Sequence, residues 1–230
     1  MRIIIAGAGR GGLSLGIHLQ GLGHAVTILD RDAVIAQRAQ QEHGLVALAG
    51  DATDATVLRQ ADPARADVVL AMLHRDADNL AVALLARSLG AGRLMVRMRD
   101  VDYRSVYEAA GIDQILSETE VLVGALATAV EHEAVRHSMV LGSGEAVAIE
   151  LEIPEGAVVI GRSVSEVASE KEFPRSCVVA GMSLEQRVEA PRGGSVFAAG
   201  MRILLVVARE DLAHAIELFL RGGRTSRRPR

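Results

Sequence analysis

Residues 1–30 read MRIIIAGAGRGGLSLGIHLQGLGHAVTILD and determine how the rest of the chain is organised. A short apolar run meets glycines at Gly7, Gly9 and Gly12, a segment with helical periodicity follows, and a second apolar run ends in Asp30. A strand, a tight glycine turn, a helix and a strand that ends in an acid form, in this order, a dinucleotide-binding unit. The context makes the motif specific, because a GxGxxG pattern alone is common.

Each glycine of this turn has an expected role. Gly7 allows the tight turn, Gly9 lets the backbone approach a pyrophosphate, and Gly12 lets the helix pack closely on the strand. The amide groups of Arg10, Gly11 and Gly12 lie at the N-terminus of the predicted helix, where the helix dipole favours anions. These residues are therefore the candidate phosphate-binding segment.

Asp30 is the candidate ribose-binding residue, because its carboxylate can accept hydrogen bonds from ribose hydroxyls. Its charge would also repel a 2′-phosphate, so NADP is disfavoured as a ligand, although Arg31 next to it weakens that exclusion. The alternative is that Asp30 is a turn residue at the end of a strand, with no ligand.

Predicted strands and helices alternate six times in the first 117 residues. This alternation predicts a Rossmann-like, doubly wound α/β domain with a mostly parallel sheet and helices on both faces. Right-handed crossovers then place ligands at the carboxyl ends of the strands.

Two further polar positions follow predicted strands or lie within them. Asp51 and Ala52 come after the third strand, where an adenine lies in this architecture; the same residues, with Asp54, also suit a helix N-cap, and the two roles are compatible. Arg97 lies in an otherwise apolar strand, where burial of its charge requires a partner. A phosphate or a carboxylate would satisfy it equally well.

The second half of the chain has a different pattern. Residues 118–141 have helical periodicity and predict a crossover or dimer helix, with a glycine-rich linker completing the segment 118–144. Residues 145–222 predict a small α+β domain with a short strand at 158–160, and its size favours pairing with a second copy. Residues 223–230 predict a basic, solvated tail; a weak role at an anionic membrane surface is the alternative.

Composition excludes several classes of function. The 230 residues are 50% hydrophobic, which excludes extensive disorder, and the net charge of −4 with 2% aromatic residues argues against a nucleic-acid partner. The chain opens directly on a strand instead of a signal peptide, and its longest apolar stretch is about half of the ~20 residues that a membrane helix needs. We expect a soluble, intracellular protein.

No catalytic or metal-binding motif is found. His132-Glu133 and His137 superficially resemble HExxH, but the two histidines are five residues apart instead of four, so on a helix they would diverge. The single cysteine, Cys177, lies in an apolar run and is best interpreted as a small buried hydrophobe. These features predict a ligand-sensing or dimerising protein and not an enzyme.

The chain resembles the RCK-domain regulators of potassium transport, the Trk/Ktr cytoplasmic subunits. Several segments in the order typical of that family carry the resemblance: Gly7–Gly12, Gly23–Asp30, Gly50–Thr53, Asp78–Leu80 and Arg97, then Ile153–Gly156, Gly161–Ser163 and Ala199–Gly200. They extend over most of the sequence, with an N-terminal RCK domain at 1–117 and its C-terminal companion at 145–222.

The resemblance implies an adenine nucleotide, NAD(H) or ATP/ADP, in the N-terminal cleft, with Arg97 reaching the phosphates and Met72 and Leu73 walling the nucleotide. It also implies a homo-oligomer, a dimer that builds a ring, which gates an integral-membrane potassium channel or transporter from the cytoplasmic face of the membrane. Two other functions remain open: regulation of another cation system, such as a cation/proton antiporter, and a Rossmann NAD-dependent oxidoreductase.

Overall fold

The computed structural model describes residues 1–142, 144–184 and 187–223. The chain divides into two compact units, Met1–Thr119 and Glu120–Arg230. Among the described residues, no helix combines the length and apolar character that crossing a membrane requires. The predicted basic tail lies outside the described residues except for Gly223, and so does Ser143 of the predicted linker.

The first unit is a parallel sheet with helices between its strands. Its strands are β1 (Arg2–Ala6), β2 (Ala25–Asp30), β3 (Val46–Ala49), β4 (Val68–Ala71), β5 (Leu94–Met98) and β6 (Gln114–Ser117). Its helices are α1 (Arg10–Gly21), α2 (Ala33–His43), α3 (Ala55–Gln60), α4 (Asp76–Ser88) and α5 (Arg104–Ala109), with 3₁₀ turns at Pro63–Arg65 and Val101–Tyr103.

The strand order β3-β2-β1-β4-β5-β6 confirms the Rossmann-like prediction, since the sheet is wound outward in both directions from β1. Strand β1 is buried on both faces because its successive side chains enter different cores. Ile3 and Ile5 pack with one group of helices, while Ile4 and Ala6 pack with the other. The order of the strands reverses between β1 and β4, so a crevice opens at their carboxyl ends.

The second unit is an antiparallel sheet packed on helices. Helix α6 (Glu118–Glu131) enters it from the first unit and is followed by β7 (Val135–Leu141), β8 (Ala146–Glu152), α7 (Val164–Ala168), β9 (Val178–Leu184), β10 (Arg187–Glu189), β11 (Arg202–Ala208) and α8 (Leu212–Leu220). The strand order is β10-β9-β11-β8-β7. Alternate residues of β8 and β11 pack against α8, as the period of two predicts. This confirms a small α+β domain.

Two element predictions in this half were wrong. The helix expected over 118–141 ends at Glu131, and its last part is strand β7, which pairs with β8. His132 therefore follows the helix and His137 lies on the strand. The two histidines do not share a helix, which an HExxH motif requires. The strand expected at 158–160 is a series of turns.

Candidate functional site

A cavity of about 510 Å³ lies at the carboxyl ends of β1, β2, β3 and β4. Its volume is in the range of ligand sites for small molecules. The structure brings most of the predicted site residues into its lining: Gly7, Gly9, Asp30, Arg31, Asp51, Ala52, Met72 and Leu73.

Gly7 and Gly12 shape the turn that leads into this cavity. Gly7 has φ of +111°, and a Cβ on it would lie 2.8 Å from the Met72 carbonyl oxygen. A Cβ on Gly12 would lie 1.9 Å from the Gly7 carbonyl oxygen, so this glycine allows α1 to approach β1. Both positions exclude a larger residue because the obstructing atoms belong to the backbone.

The N-terminus of α1 is open toward this turn. Gly9 is its N-cap residue, no side chain caps it, and its first turn contains no acid. The first amides of a helix have no partner within the helix, so Arg10, Gly11 and Gly12 offer N–H groups at the positive end of the helix dipole. By contrast, Asp32 caps α2 and Asp54 caps α3. Helix α1 is thus suited to an anionic group.

Asp30 connects the turn to the end of β2. Its Oδ2 accepts a hydrogen bond of 2.7 Å from the Ala8 amide, and its Oδ1 accepts one of 2.9 Å from the Asp32 amide. Because a carboxylate can accept about four hydrogen bonds, lone pairs remain for ligand hydroxyls. Asp30 can therefore stabilise the turn and bind a ligand at the same time.

Asp51 lines the cavity just after the end of β3. It accepts hydrogen bonds from the Thr53 hydroxyl at 2.7 Å and from the Thr53 amide at 2.8 Å. These two hydrogen bonds lower the pKa of the Asp51 carboxyl below its usual value. The expected N-cap is supplied by Asp54, which accepts from the Thr56 amide.

Arg97 does not line the cavity. Its Nη2 donates to the Leu73 carbonyl oxygen at 2.8 Å, and its Nη1 lies 3.3 Å from Oε2 of Glu118. The sequence left open whether a phosphate or a carboxylate is the partner of Arg97, and the structure places the Glu118 carboxylate next to it. Arg10, Gly11 and Gly12 form the start of α1 and are also outside the lining.

Several lining residues were not among the predicted ones. Asp32, His74, Arg75 and Asp78 contribute charged or titratable groups, and Leu29, Ile35, Gly50 and Thr53 complete the lining. The loop after β4 is held by Asn79, whose Oδ1 accepts from the Leu73 amide at 2.7 Å and whose Nδ2 donates to the Leu73 and Arg97 carbonyls. The sequence signal for this role was the polar amide of Asn79 on the buried face of α4.

Comparisons with known proteins agree with both units. Residues 3–118 match the TrkA-N domain family and residues 148–220 match the TrkA-C domain family. A Trk system potassium uptake protein TrkA homolog of Methanothermobacter thermautotrophicus is 29% identical over 168 residues, 73% of this chain and 77% of that protein. A protein of the same name from Archaeoglobus fulgidus is 31% identical over 92% of this chain, which spans only 48% of that relative's length.

Solved structures show the same fold at low sequence identity. The GsuK channel has a TM-score of 0.67 at 21% identity, and the GsuK channel bound to NAD has a TM-score of 0.64 at 18% identity. Each comparison covers 97% of this chain and 40% of the channel chain. With a TrkA-N match over half of its length and a TrkA-C match after it, the chain belongs to the family of proteins that carry TrkA-N and TrkA-C domains.

Proposed function

We propose that this chain is a regulatory subunit that binds an adenine nucleotide, NAD(H) or ATP/ADP, in the cavity of its first unit. In response, it controls a membrane potassium uptake channel or transporter. The observation that carries the nucleotide proposal is the uncapped, acid-free N-terminus of α1, which is joined to the cavity by Gly7 and Gly9.

The residues of the cavity divide naturally among the parts of such a ligand. The amides of Arg10, Gly11 and Gly12 would hold the phosphates, and the free lone pairs of Asp30 would accept from the ribose. Asp51 and Ala52 would lie beside the adenine, while Met72 and Leu73 would pack against the ligand. Arg31 would add positive charge at the mouth of the site.

The potassium proposal rests on family membership and on the relatives from Methanothermobacter and Archaeoglobus, which are both named Trk system potassium uptake protein TrkA homolog. We propose that the chain acts as a homo-oligomer, a dimer that builds a ring, on the cytoplasmic face of an integral-membrane partner. The family supports a regulatory role, and we assign no reaction to the cavity. Steady-state assays with NADH would detect turnover, which would contradict this part of the proposal.

Thermal stability with NADH, NAD, NADPH, ATP and ADP tests the nucleotide site. A nucleotide present at a hundred times its Kd adds about 2.7 kcal/mol to the free energy of unfolding. We expect Asp30→Asn to reduce the shift, NADPH to stabilise less than NADH, and Asp102→Asn, an exposed change outside the lining, to behave as wild type. If no adenine nucleotide stabilises the protein, the site assignment is wrong.

Potassium uptake in cells that lack this chain tests the regulatory role. We expect uptake to change on deletion and to be restored by the wild-type chain but not by a variant that has lost nucleotide binding. Unchanged uptake and gating in the deletion strain would contradict the potassium proposal while leaving the nucleotide site intact.

A further inference from the structure

Two consecutive residues of the cavity wall, Leu73 and His74, are bound by arginines from the end of β5. Arg97 donates to the Leu73 carbonyl oxygen at 2.8 Å. Arg99 contacts His74 through its Nη1, which lies 3.0 Å from the ring Nδ1, 3.2 Å from the ring Nε2 and 3.2 Å from the carbonyl oxygen. The wall is therefore attached to strand β5 at two adjacent points.

Both arginines also reach one carboxylate. Oε2 of Glu118 lies 3.3 Å from Nη1 of Arg97 and 3.6 Å from Nε of Arg99. The contacts form a closed bracket that runs from Leu73 through Arg97 to Glu118 and returns through Arg99 to His74. Since the Arg97 side chain is only 22% exposed, its charge is less screened than that of a surface arginine.

The backbone that carries the arginines is itself fixed by the start of α4. Asp76, 7% exposed, accepts hydrogen bonds from the amides of Arg99 and Asp100. Asn79, fully buried, holds the Arg97 carbonyl together with both polar backbone groups of Leu73. These hydrogen bonds restrict the backbone of both arginines, so the arginines and the Leu73–His74 wall are expected to move together.

Glu118 is the first residue of α6, and the helix continues across the boundary of the first unit to Glu131. The next residue, Thr119, donates its hydroxyl to the Arg99 carbonyl at 3.0 Å. A carboxylate at this end of a helix also interacts favourably with the helix dipole.

We propose that Glu118 is a positioning residue that ties the Leu73–His74 wall of the cavity to the first turn of α6. Opening of the wall and loosening of that turn are therefore coupled events. This inference rests on the proposed function only in making the wall part of a nucleotide site, since the bracket itself exists without a ligand.

Hydrogen exchange on the full, nucleotide-free chain tests the bracket directly. An exposed ion pair contributes little, so we expect Glu118→Gln to speed exchange of the Leu73 amide and of the amides that close the first turn of α6 by about threefold. These are the amides of Val121 and Leu122, the first in the helix that can donate to a carbonyl within it. Glu118→Asp, which keeps the charge, should recover part of the protection. Glu108→Gln, an exposed change on α5, should match wild type. Equal exchange in Glu118→Gln and wild type would overturn the proposal.

The second arm adds NAD or ADP at saturation. In wild type we expect the nucleotide to slow exchange in both the wall and the first turn of α6. In Glu118→Gln it should still slow exchange in the wall, with Kd changed by less than about threefold, but no longer in α6. Protection of α6 that survives the substitution would overturn the coupling. If neither nucleotide binds wild type, the proposed function fails and the ligand-free arm alone decides the bracket.

Discussion

Gly9 and Gly12 belong to one turn but are required for different reasons. A Cβ on Gly12 would collide with the Gly7 carbonyl oxygen, whereas a Cβ on Gly9 would have no atom within 4 Å apart from those of its neighbours in the chain. Gly9 nevertheless lines the cavity. Gly9 therefore leaves space for a ligand, and Gly12 allows helix α1 to pack closely on β1.

Alanine substitutions at these two positions should separate binding from stability. We expect Gly12→Ala to lower the free energy of unfolding by about 2 kcal/mol or more, because backbone must move to admit the methyl group. Gly9→Ala should cost only about 1 kcal/mol, since alanine is a poorer N-cap than glycine. It should weaken nucleotide binding at least tenfold, because Gly9 lines the cavity. Chemical denaturation and calorimetric titration measure the two effects. Normal binding by Gly9→Ala would place the ligand elsewhere.

Tyr107, on α5, connects this helix to the start of α4. Its ring is fully buried and its hydroxyl donates to the Asp76 carboxylate at 3.0 Å. Burial, followed by this interaction with Asp76, raises the pKa of the phenol, which therefore stays protonated as a donor. We expect Tyr107→Phe to lower the free energy of unfolding by about 1 kcal/mol, measured by urea denaturation. A neutral effect would show that water replaces the hydroxyl.

The candidate site shows what single residues can and cannot reveal in a sequence. The positions of Gly7, Gly12 and Asp30 were predictable because they depend on a local turn whose spacing is visible in the sequence. The need of Arg97 for a partner was also visible, but its partner Glu118 lies on another element, and the packing of the sheet decides the pairing. Long-range contacts of this kind have no local signal.

At the level of elements, the helix N-termini differ in what satisfies them. Helix α7 has a complete capping box: Ser163 accepts from the Glu166 amide, and Glu166 accepts from the Ser163 amide. Hydrogen bonds from the amide and the hydroxyl of Ser163 lower the pKa of the Glu166 carboxyl. The stability that they contribute is present at a pH above the unfolded pKa and is lost as the pH falls through the lower folded pKa. Helix α1 has no such cap, which agrees with a ligand occupying that position.

Removal of the cap should affect stability and not binding. We expect Ser163→Ala to lower the free energy of unfolding of the second unit by about 1 kcal/mol at neutral pH. The affinity for NAD or ADP should stay at the wild-type value. Calorimetry and titration on the same preparation provide both numbers, and an unchanged stability would mean that solvent replaces the hydroxyl at no cost.

The wrong helix prediction after Glu131 has a physical cause. Residues 132–134 form a short break with no glycine or proline, so the sequence contains no helix-breaking residue at this point. The strand that follows also has mixed exposure, because it is the edge of its sheet and pairs only with β8. Periodicity fails at such edges, whereas the buried strands of the first unit were located correctly.

At the scale of the whole molecule, each unit has its own hydrophobic core. One core contains residues from Val135 to Phe219, and the two cores of the first unit contain residues up to Ile112. Separate cores allow separate unfolding transitions. We expect calorimetry to show two transitions and ADP or NAD to raise only the one of the first unit. A single transition, or an equal shift of both transitions, would mean that the units do not unfold independently.

Helix α6 presents an apolar stripe that this single chain leaves exposed. Its Gly124 side packs on β7, where an added Cβ would lie 2.6 Å from Val140. Successive residues are turned by about 100°, so the large apolar residues Leu122 and Leu126 lie opposite Gly124, and the apolar residues Val123 and Val130 lie next to them. Leu126 is 55% exposed and Val130 is 84% exposed, and clustered exposure of this kind marks an interaction site.

A second copy of the chain is the occupant that agrees with the proposed homo-oligomer. We expect light scattering to give a dimer or larger assembly for wild type and a smaller mass for Leu122→Glu with Leu126→Glu, because two buried carboxylates without partners would be costly. Val101→Glu, a change at an isolated exposed valine of the first unit, should leave the mass unchanged. Circular dichroism would show that both variants are folded. A monomeric wild type, or an assembly that tolerates both glutamates, would remove this stripe from the interface and require the ring to form through another surface.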